Sequence, residues 1–317
     1  MPYTVVANTM QALVKYHGLK DWKLRIPYHD SISVNTTSLY SEARVTEGRG
    51  EGRLLVEGKK NDDALRRIES VSQRLTGKRF ADLGLEIDSK NMPGVEGKGL
   101  GYSSSAGAAL TFAINRAVNK GTPDMKELSK VSRLFAASAS RTMVGGFSRL
   151  YAGQGDADTY SEKIADEKDL PLRTVIVPLP STVRTETAHE EVESSPFFKA
   201  RIESASKRCD LVEKAIRGGD LAKLGELVEQ DTMELHSVTM TGKNHMIVMS
   251  ADTINVITKV RELRSNSVKA YFSMQTGPSV FINTDEEDEQ KVKRAMTKIG
   301  YKTVSSSVGK EARVKRR

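Results

Sequence analysis

The pattern of hydrophobic and polar positions predicts a chain in which strands and helices occur in separate runs. Residues 31–36 alternate polar and apolar side chains, as a half-buried strand does, and residues 172–178 have the valine and isoleucine content of a buried strand. Apolar residues three and four positions apart predict a helix over residues 62–75. The same signals predict the remaining elements: strands at 54–56, 83–87, 268–274, 279–283 and 302–306, a strand pair within 149–164, and helices at 106–119, 123–137, 196–217, 221–237, 251–265 and 286–299.

The order of these elements predicts an α+β fold. Three glycines in residues 48–52 predict a hairpin turn between the strands on either side. Pro178 and Pro180, followed by a polar stretch, mark a boundary near residues 178–190. We therefore expect two domains, residues 1–182 and residues 183–317.

The composition is that of a globular protein, with 38% hydrophobic and 28% charged residues. An uninterrupted apolar run of about 18 residues is absent, so we expect no membrane span. The N-terminus lacks the basic and apolar segments of a signal peptide. The single cysteine, Cys209, cannot form an internal disulfide, and we therefore expect a cytoplasmic protein.

The net charge of +8 is compatible with binding either nucleic acid or phosphorylated small molecules. Aromatic residues make up only 6% of the chain and do not alternate with lysine and arginine as in base-stacking surfaces, which argues against nucleic acid. The basic tail, residues 310–317, is typical of a frayed, solvated end.

A glycine- and serine-rich stretch, residues 97–109, leads into a run of small apolar residues that predicts a helix. The first N–H groups of a helix lack intrahelical partners and its dipole favours anions, so this junction is a candidate phosphate site. It is neither the G-x-x-x-x-G-K-[ST] loop nor a dinucleotide fingerprint. The candidate phosphate-binding residues are Gly101, Ser103, Ser104, Ser105 and Gly107.

Several separated segments, in the right order over nearly the whole chain, resemble the diphosphomevalonate decarboxylase family of the GHMP kinase superfamily. Residues 8–21 are similar to N-I-A-x-I-K-Y-W-G-K-x-D, residues 26–33 to L-P-x-N-D-S-L-S, and the glycine–serine stretch to G-L-A-S-S-A-x-G. Residues 138–147 resemble S-A-C-R-S-x-x-G-G-F, and residues 192–196 resemble V-E-T-S-P.

Later segments continue the resemblance. Asp231 and His236 lie where the family has D-x-x-x-x-H, and Gly277-Pro278 matches the late D-A-G-P turn. The variants at residues 15–18, 27–31 and 188–190 look most like archaeal members that act on 5-monophosphates.

The resemblance implies a two-domain GHMP kinase fold, with an N-terminal domain whose fold is shared with ribosomal proteins and an active site in the cleft between the domains. Family members use ATP and Mg²⁺ to phosphorylate the C3 hydroxyl of a 5-phosphorylated mevalonate. They then expel that phosphate together with CO2, leaving an isopentenyl product. The family also leads us to expect a homodimer.

The resemblance also implies roles for individual residues. Lys15 and Arg141 would line the C3 phosphate and the carboxylate and would be catalytic, since fixed cations stabilise the departing phosphate oxygen. Ser103 and Ser104 would lie beside the transferred phosphate, and Ser104 is the candidate Mg²⁺ ligand. Ser138 would contact the 5-phosphate. The candidate substrate-binding residues are Tyr16, His17, Ser138, Ser140 and Gln275, whereas we expect structural roles for His189, His236 and His245.

One position departs from the family in its chemistry. Gln275 stands where the family has its catalytic aspartate, and an amide serves neither as a base nor as an anion. The glycine–serine stretch departs too, because about three extra residues precede its serines and Tyr102 replaces a small residue.

Three enzyme hypotheses follow, in this order. In the first, the protein eliminates phosphate and CO2 from mevalonate 3,5-bisphosphate, giving isopentenyl phosphate without ATP or another cofactor. In the second, it is an ATP- and Mg²⁺-dependent phosphomevalonate decarboxylase in which another group replaces the aspartate. In the third, only a 3-kinase remains. Relatives that act on free mevalonate have a glutamate where this chain has Ala137, which favours a 5-phosphorylated substrate.

A hypothesis from another class is a catalytically silent protein that binds nucleic acid or a regulatory partner, since fold alone does not fix function. Retention of Lys15, Arg141 and the glycine–serine stretch favours small-molecule chemistry.

Overall fold

The computed structural model describes residues 2–48, 50–119, 121–181 and 185–316. Its strands are β1 Tyr3–Val14, β2 Leu19–Asp21, β3 Ile26–Pro27, β4 Ser31–Glu47, β5 Arg53–Val56, β6 Lys59–Lys60, β7 Leu85–Met92, β8 Phe147–Tyr151, β9 Tyr160–Ala165, β10 Arg173–Val177, β11 Tyr271–Met274, β12 Val280–Thr284, β13 Val304–Ser306 and β14 Arg313–Val314. Its helices are α1 Asp62–Thr76, α2 Tyr102–Val118, α3 Met125–Arg133, α4 Ala139–Val144, α5 Thr185–Glu193, α6 Phe198–Arg217, α7 Leu221–Met240, α8 Ala251–Ser265 and α9 Glu289–Lys298. The predicted domain boundary at residues 182 and 183 lies outside the described residues.

The larger sheet is organised around β4, the longest of the described strands. Its path is β14-β1-β4-β7-β5-β6, and the first residues of β4 also pair with β8, which pairs with β9. Helices α1 to α3 cover one face, where the small residues Ala108, Ala109 and Ala113 of α2 are fully buried. Small side chains let α2 pack close to the sheet, which brings the start of this helix near β1.

The prediction of a hairpin at residues 48–52 is wrong. β4 and β5 do not pair, because β7 lies between them, antiparallel to β4 and parallel to β5. β7 buries Leu85, Ile87 and Ser89, whereas β5 is short and leads to the exposed strand β6. The strand with more buried positions takes the central place, and a short, lysine-bearing strand suits the edge of a sheet.

Two further expectations are corrected. The basic tail is not frayed over its described part: β14 pairs with β1, and Ala312 is buried beside it. Residues 185–189 belong to the polar stretch that was predicted to mark the boundary. They instead begin helix α5, which buries Ala188 and Val192 one turn apart. This i, i+4 pair was the available signal for the helix.

The smaller sheet has the order β11-β12-β10-β13, with α8 and α9 packed against it. β10 precedes the predicted boundary, whereas β14, from the end of the chain, belongs to the larger sheet. Helices α6 and α7 pack together and bury Cys209, Val212 and Val228 against Leu13 and Phe147 of the larger sheet. The end of β1 therefore lies where both parts of the chain meet. None of the described helices combines the length and hydrophobicity needed to cross a membrane.

The contact between α7 and β11 depends on Gly225. A Cβ atom at this position would lie 2.0 Å from Cγ of Tyr271. We expect Gly225→Ala to lower the free energy of unfolding by about 1–3 kcal/mol through overpacking, although alanine is the better helix former. Urea unfolding would measure this change. Gly50→Ala is the matched control, because no atom lies within 4 Å of a Cβ there, and equal stability of the two variants would contradict the prediction.

Candidate active site

Residues 15–18, which follow β1, are held in place by a buried carboxylate. Oδ2 of Asp231 in α7 accepts the backbone N–H of Lys15 at 2.9 Å, and Oδ1 pairs with Nη2 of Arg201 at 2.7 Å. The same Nη2 donates to the Lys15 carbonyl at 2.9 Å. Both peptide groups of Lys15 are therefore fixed by a buried ion pair.

The side chain of Lys15 is buried but has no carboxylate partner. Its Nζ donates only a long hydrogen bond, 3.3 Å, to the carbonyl of Tyr16 and lies 4.5 Å from the centroid of the Tyr16 ring. The described residues form no ion pair with it. Burial and, secondly, the charge of Arg141 lower the pKa of Lys15 to about 7, although Asp231 opposes this.

Arg141 lies in α4 with no exposed surface, and its guanidinium is unsatisfied. Nε, Nη1 and Nη2 all lack a hydrogen-bond partner within the described residues, and Cζ lies 5.5 Å from the Tyr16 ring centroid. Burial lowers the pKa of this group to about 10. A buried, unpaired guanidinium is costly, and its planar fork matches a phosphate or carboxylate. Lys15 and Arg141 are therefore a candidate anion site between α4 and the end of β1.

A stack of aromatic rings supports this site. Tyr16 lies against His189 of α5, with ring centroids 5.2 Å apart and planes 12° apart, and His17 meets His189 edge-on at 5.1 Å. Nδ1 of His189 accepts the N–H of Gly18 at 3.1 Å, which supports the structural role expected for His189. Nε2 of His17 is hydrogen-bonded to Thr276 at 2.9 Å, while its Nδ1 has no partner among the described residues.

Two further residues lie near Lys15. Arg201 was not predicted and holds the backbone of Lys15, and His236 was expected to be structural. Both ring nitrogens of His236 are buried and lack partners in the described part of the chain, and its proximity to Arg201 and Lys15 contributes, after burial, to a pKa of about 4. The D-x-x-x-x-H spacing was the only sequence signal for His236. His29, also fully buried, has a pKa lowered to about 3, mainly by burial. His245 makes no contact with this cluster among the hydrogen bonds and ring contacts described.

The glycine–serine stretch approaches the same cleft from the larger sheet. Gly101 adopts φ +85° before α2, where a Cβ would lie 2.8 Å from the carbonyl of Met10. Helix α2 begins at Tyr102, four residues earlier than predicted, and has no side-chain cap at its start. Ser103 is exposed there, and Ser104 shares a 2.5 Å hydrogen bond with Ser138. Ser104 therefore contacts Ser138 at the start of α4, and the exposed Ser103 precedes Ser104 in the chain.

Three other predicted site residues face the domain interior. Ser105 donates to the Tyr102 carbonyl and is hydrogen-bonded to Ser41. Ser140 is fully buried and donates to the Ala137 carbonyl. Gly107 allows α2 to approach Phe135, whose Cδ1 would lie 2.6 Å from a Cβ. We leave these three out of the proposed site.

Gln275, directly after β11 of the smaller sheet, links this sheet to β1 of the larger sheet. Its Nε2 donates to the carbonyls of Met10, at 2.8 Å, and Gly99, at 3.0 Å. Both partners are backbone acceptors, so the nitrogen of the amide, and not its oxygen, has to face them. Gly277 lies against the same loop, with a Cβ position 2.6 Å from the carbonyl of Lys98. Gln275 therefore secures the glycine–serine stretch to β1, a role that the sequence did not suggest.

The described residues contain no group of three or more His, Cys, Asp or Glu side chains placed to hold a metal. Mg²⁺ that arrives with a nucleotide takes most of its ligands from phosphate oxygens and water, so this finding is compatible with nucleotide binding. The uncapped start of α2 and the exposed Ser103 fit a polyphosphate. Ser104 as an Mg²⁺ ligand stays a prediction.

Comparison with known proteins agrees with these features. The family model of the diphosphomevalonate decarboxylase-like N-terminal domain matches residues 7–161. The family model of the mevalonate 5-diphosphate decarboxylase C-terminal domain matches residues 180–315. The chain is 35% identical over 319 residues to the phosphomevalonate decarboxylase of Haloferax volcanii, covering 99% of this chain and 98% of that relative. It is 24% identical over 281 residues to the mevalonate 3,5-bisphosphate decarboxylase of Thermoplasma acidophilum, covering 86% and 68%.

Solved structures have the same fold. The mevalonate diphosphate decarboxylase of Enterococcus faecalis, in a structure concerning ATP binding mediated by mevalonate diphosphate, has a TM-score of 0.89 and 23% identity and covers 100% of this chain and 99% of its own. A structure of MDDEF in complex with MVAPP, AMPPCP and magnesium has the same TM-score. The α+β fold of the GHMP kinase superfamily is thereby confirmed.

The geometry of Gln275 leads to a stability prediction. Gln275→Glu replaces two donated hydrogen bonds by a carboxylate that faces two carbonyl oxygens, and we expect a loss of about 1–3 kcal/mol in the free energy of unfolding at neutral pH. Urea unfolding measures the loss, and acidification should partly restore stability because a protonated carboxyl can donate one bond. Gln73→Glu, at an exposed helix position, is the control. Unchanged stability of Gln275→Glu would show that the link is dispensable.

The unpaired guanidinium leads to the opposite prediction. Arg141→Met removes a buried charge without breaking an ion pair, so we expect the free energy of unfolding to rise or stay constant within about 1 kcal/mol. Arg201→Met breaks the buried pair with Asp231 and should cost about 3–5 kcal/mol. Thermal and urea unfolding of both variants provide the comparison, and a large loss for Arg141→Met would mean that Arg141 stabilises the fold.

Proposed function

The chain belongs to the diphosphomevalonate decarboxylase family, and we propose that it eliminates phosphate and CO2 from mevalonate 3,5-bisphosphate to give isopentenyl phosphate, after making this bisphosphate from 5-phosphomevalonate and ATP in the same cleft. The protein is a decarboxylase of the mevalonate pathway, a carboxy-lyase. The observation that carries the proposal is the buried guanidinium of Arg141, which has no counter-ion among the described residues and lies beside Lys15.

Elimination needs fixed positive charge more than it needs acid–base chemistry. When the C3–O bond breaks, positive charge develops at the tertiary carbon and negative charge on the departing phosphate. The electron pair of the bond to the carboxylate then forms the double bond as CO2 leaves. Arg141 can hold phosphate or carboxylate with two parallel hydrogen bonds, and Lys15 can lie between both anions. One such donor typically contributes about 2.7–4 kcal/mol to lowering a barrier.

The residues near Ser138 favour a substrate that carries a 5-phosphate. Ser138 lies at the start of α4 and is hydrogen-bonded to Ser104. Burial raises the pKa of Tyr16, and a hydrogen bond with Ser138 opposes this rise. Ala137 is buried where relatives that act on free mevalonate have a glutamate. We assign the 5-phosphate to Ser138 and Tyr16.

Two kinds of observation support ATP as the phosphate donor: the comparisons with relatives and the start of α2. The Haloferax relative, which the chain matches over nearly its whole length, is a phosphomevalonate decarboxylase, and a structure of the same fold is in complex with AMPPCP and magnesium. In this chain, Ser103 and the uncapped N–H groups of α2 would hold the polyphosphate, with bound Mg²⁺ neutralising its charge.

Gln275 favours a second candidate, in which the enzyme receives mevalonate 3,5-bisphosphate and needs no ATP. Gln275 stands where the family has its catalytic carboxylate, and a neutral amide is not a base, so this position cannot take up the hydroxyl proton. Its Nε2 instead donates to two carbonyl oxygens. In either candidate the elimination step is the same. We also propose that the enzyme acts in the cytoplasm as a homodimer.

A substrate comparison tests the proposal. Product formation is measured from 5-phosphomevalonate and from mevalonate 3,5-bisphosphate, each with and without ATP and Mg²⁺. We expect isopentenyl phosphate from the first substrate only with ATP, and from the second without it. Failure with the first substrate and success with the second would establish the ATP-independent candidate. Accumulation of bisphosphate would indicate a kinase, and no turnover of either would overturn the proposal.

Arg141→Met provides the matching site test. We expect its elimination rate to fall at least 100-fold, because removal of one oxyanion donor typically costs a factor of about 10²–10³. Arg66→Met, which removes an arginine whose side chain is 78% exposed, is the control and should keep full activity. Near-normal turnover by Arg141→Met would remove the proposed site.

A further inference from the structure

Phosphorylation of the C3 hydroxyl requires that its proton go to some acceptor, and the usual acceptor is missing here. The amide of Gln275 has no free basic atom for this task. The carboxylate of Asp231 accepts a hydrogen bond from the backbone of Lys15. Its two oxygens are, however, occupied by the Lys15 N–H, Arg201 and Arg208. The acceptor has to be another group in the cleft.

We propose that the side-chain amine of Lys15 accepts the proton of the C3 hydroxyl during phosphoryl transfer. This inference rests on the ATP-dependent reaction proposed above and assigns its proton acceptor.

The surroundings of Lys15 favour its neutral form in the free enzyme. The amine is buried, lies near the Tyr16 ring as the guanidinium of Arg141 does, and makes no ion pair with a described carboxylate. The charged and titratable groups that act on it come from four helices, from its own segment and from the turn between β3 and β4: Arg141, Arg201, Asp231, His189, His236, His17 and His29. Two cations face it against one carboxylate whose charge is shared with arginines, so a pKa of about 7 follows from geometry as well as from burial.

The neighbouring histidines are weaker candidates. Burial lowers the pKa of His236 to about 4, and lowers those of His17 and His189 well below the usual value. Nδ1 of His189 is also occupied by the Gly18 N–H. A base is most effective when its pKa lies near the working pH, which among these groups describes Lys15.

The step balances without any further reactant. The lone pair of Nζ takes the hydroxyl proton, the C3 oxygen forms a bond to the γ-phosphorus of ATP, and the bond from this phosphorus to the β,γ-bridging oxygen breaks as ADP leaves. Lys15 is then an ammonium beside the new phosphate. That anion raises the affinity of the amine for its proton, so the same residue now supplies positive charge for the departure of phosphate. Lys15 thus serves both half-reactions in opposite protonation states.

The decisive variant is Lys15→Arg, which keeps the positive charge but cannot lose its proton. We expect ADP formation from 5-phosphomevalonate and ATP to fall about 10²–10⁴-fold, the usual contribution of a general base. Elimination from mevalonate 3,5-bisphosphate, which needs no base, should fall no more than about tenfold. Equal losses in the two reactions, or retained ADP formation, would overturn the proposal. ADP formation by the wild type is measured first, because its absence would instead defeat the ATP-dependent function.

The pH dependence of the wild type tests the same inference without a variant. Because the neutral amine is the active form, kcat/KM for ADP formation should rise with pH through about 7 and level off above it. Elimination from the bisphosphate should lack this rise between pH 6.5 and 8.5. The same rise in both reactions would point to titration of the substrate or of another group, and would contradict the proposal.

A spectroscopic measurement does not depend on turnover. Protein labelled with ¹³C at the lysine ε-carbons should show one resonance that titrates near pH 7 in the free enzyme, and Lys15→Arg should lack it. Saturating mevalonate 3,5-bisphosphate should move this titration upward by at least one pH unit. A Lys15 resonance that titrates only above pH 9 in the free enzyme would exclude the neutral amine as the resting form.

Discussion

The guanidinium of Arg141 is fully buried and has no partner among the described residues, and this charge constrains everything packed around it. Elsewhere in proteins such a group is paired, because desolvation of a cation without a counter-ion costs several kcal/mol. Among the described residues, the ring of Tyr16 lies close to both Lys15 and Arg141, and the charge of Asp231 gives both some further compensation. A fold that retains two such cations has to hold them apart rigidly. The anionic groups of the substrate then supply the counter-ions that the described residues do not.

That rigidity comes from other arginines, which are ion-paired. Arg201 and Arg208 are paired with Asp231 and Glu234, and through Asp231 they fix the peptide groups of Lys15. The satisfied cluster belongs to α6 and α7, which pack against the larger sheet through their own apolar core. The arginines of the framework are therefore ion-paired with described carboxylates, whereas Lys15 and Arg141 are not. This contrast distinguishes a site residue from a structural arginine more clearly than burial does, since Arg141 and Arg201 are both buried.

Local patterns predicted most elements but not how they assemble. The amphipathic spacing of α1 and α8 and the apolar content of β10 are properties of short segments, and those elements were confirmed. The place of β7 between β4 and β5 depends on contacts between segments far apart in the sequence, and so does the pairing of β14 with β1. Lys15 and Arg141 were predicted as site residues because motifs marked them. The hydrogen bonds by which Gln275 and His189 hold the backbone could not be predicted this way, because each depends on a backbone atom brought close by the fold.

Gln275 shows why the loss of a carboxylate need not be the loss of a reaction. An aspartate in its place would present acceptors to the carbonyls of Met10 and Gly99, so this chain has exchanged a chemical group for a donor that secures the glycine–serine stretch. The exchange also removes a negative charge from a cleft that already holds two unpaired cations. With less negative charge nearby, the neutral form of a buried cation is favoured further. Arg141 cannot respond, since a guanidinium keeps its proton, whereas the amine of Lys15 can. The same substitution that removes one base therefore favours the appearance of another.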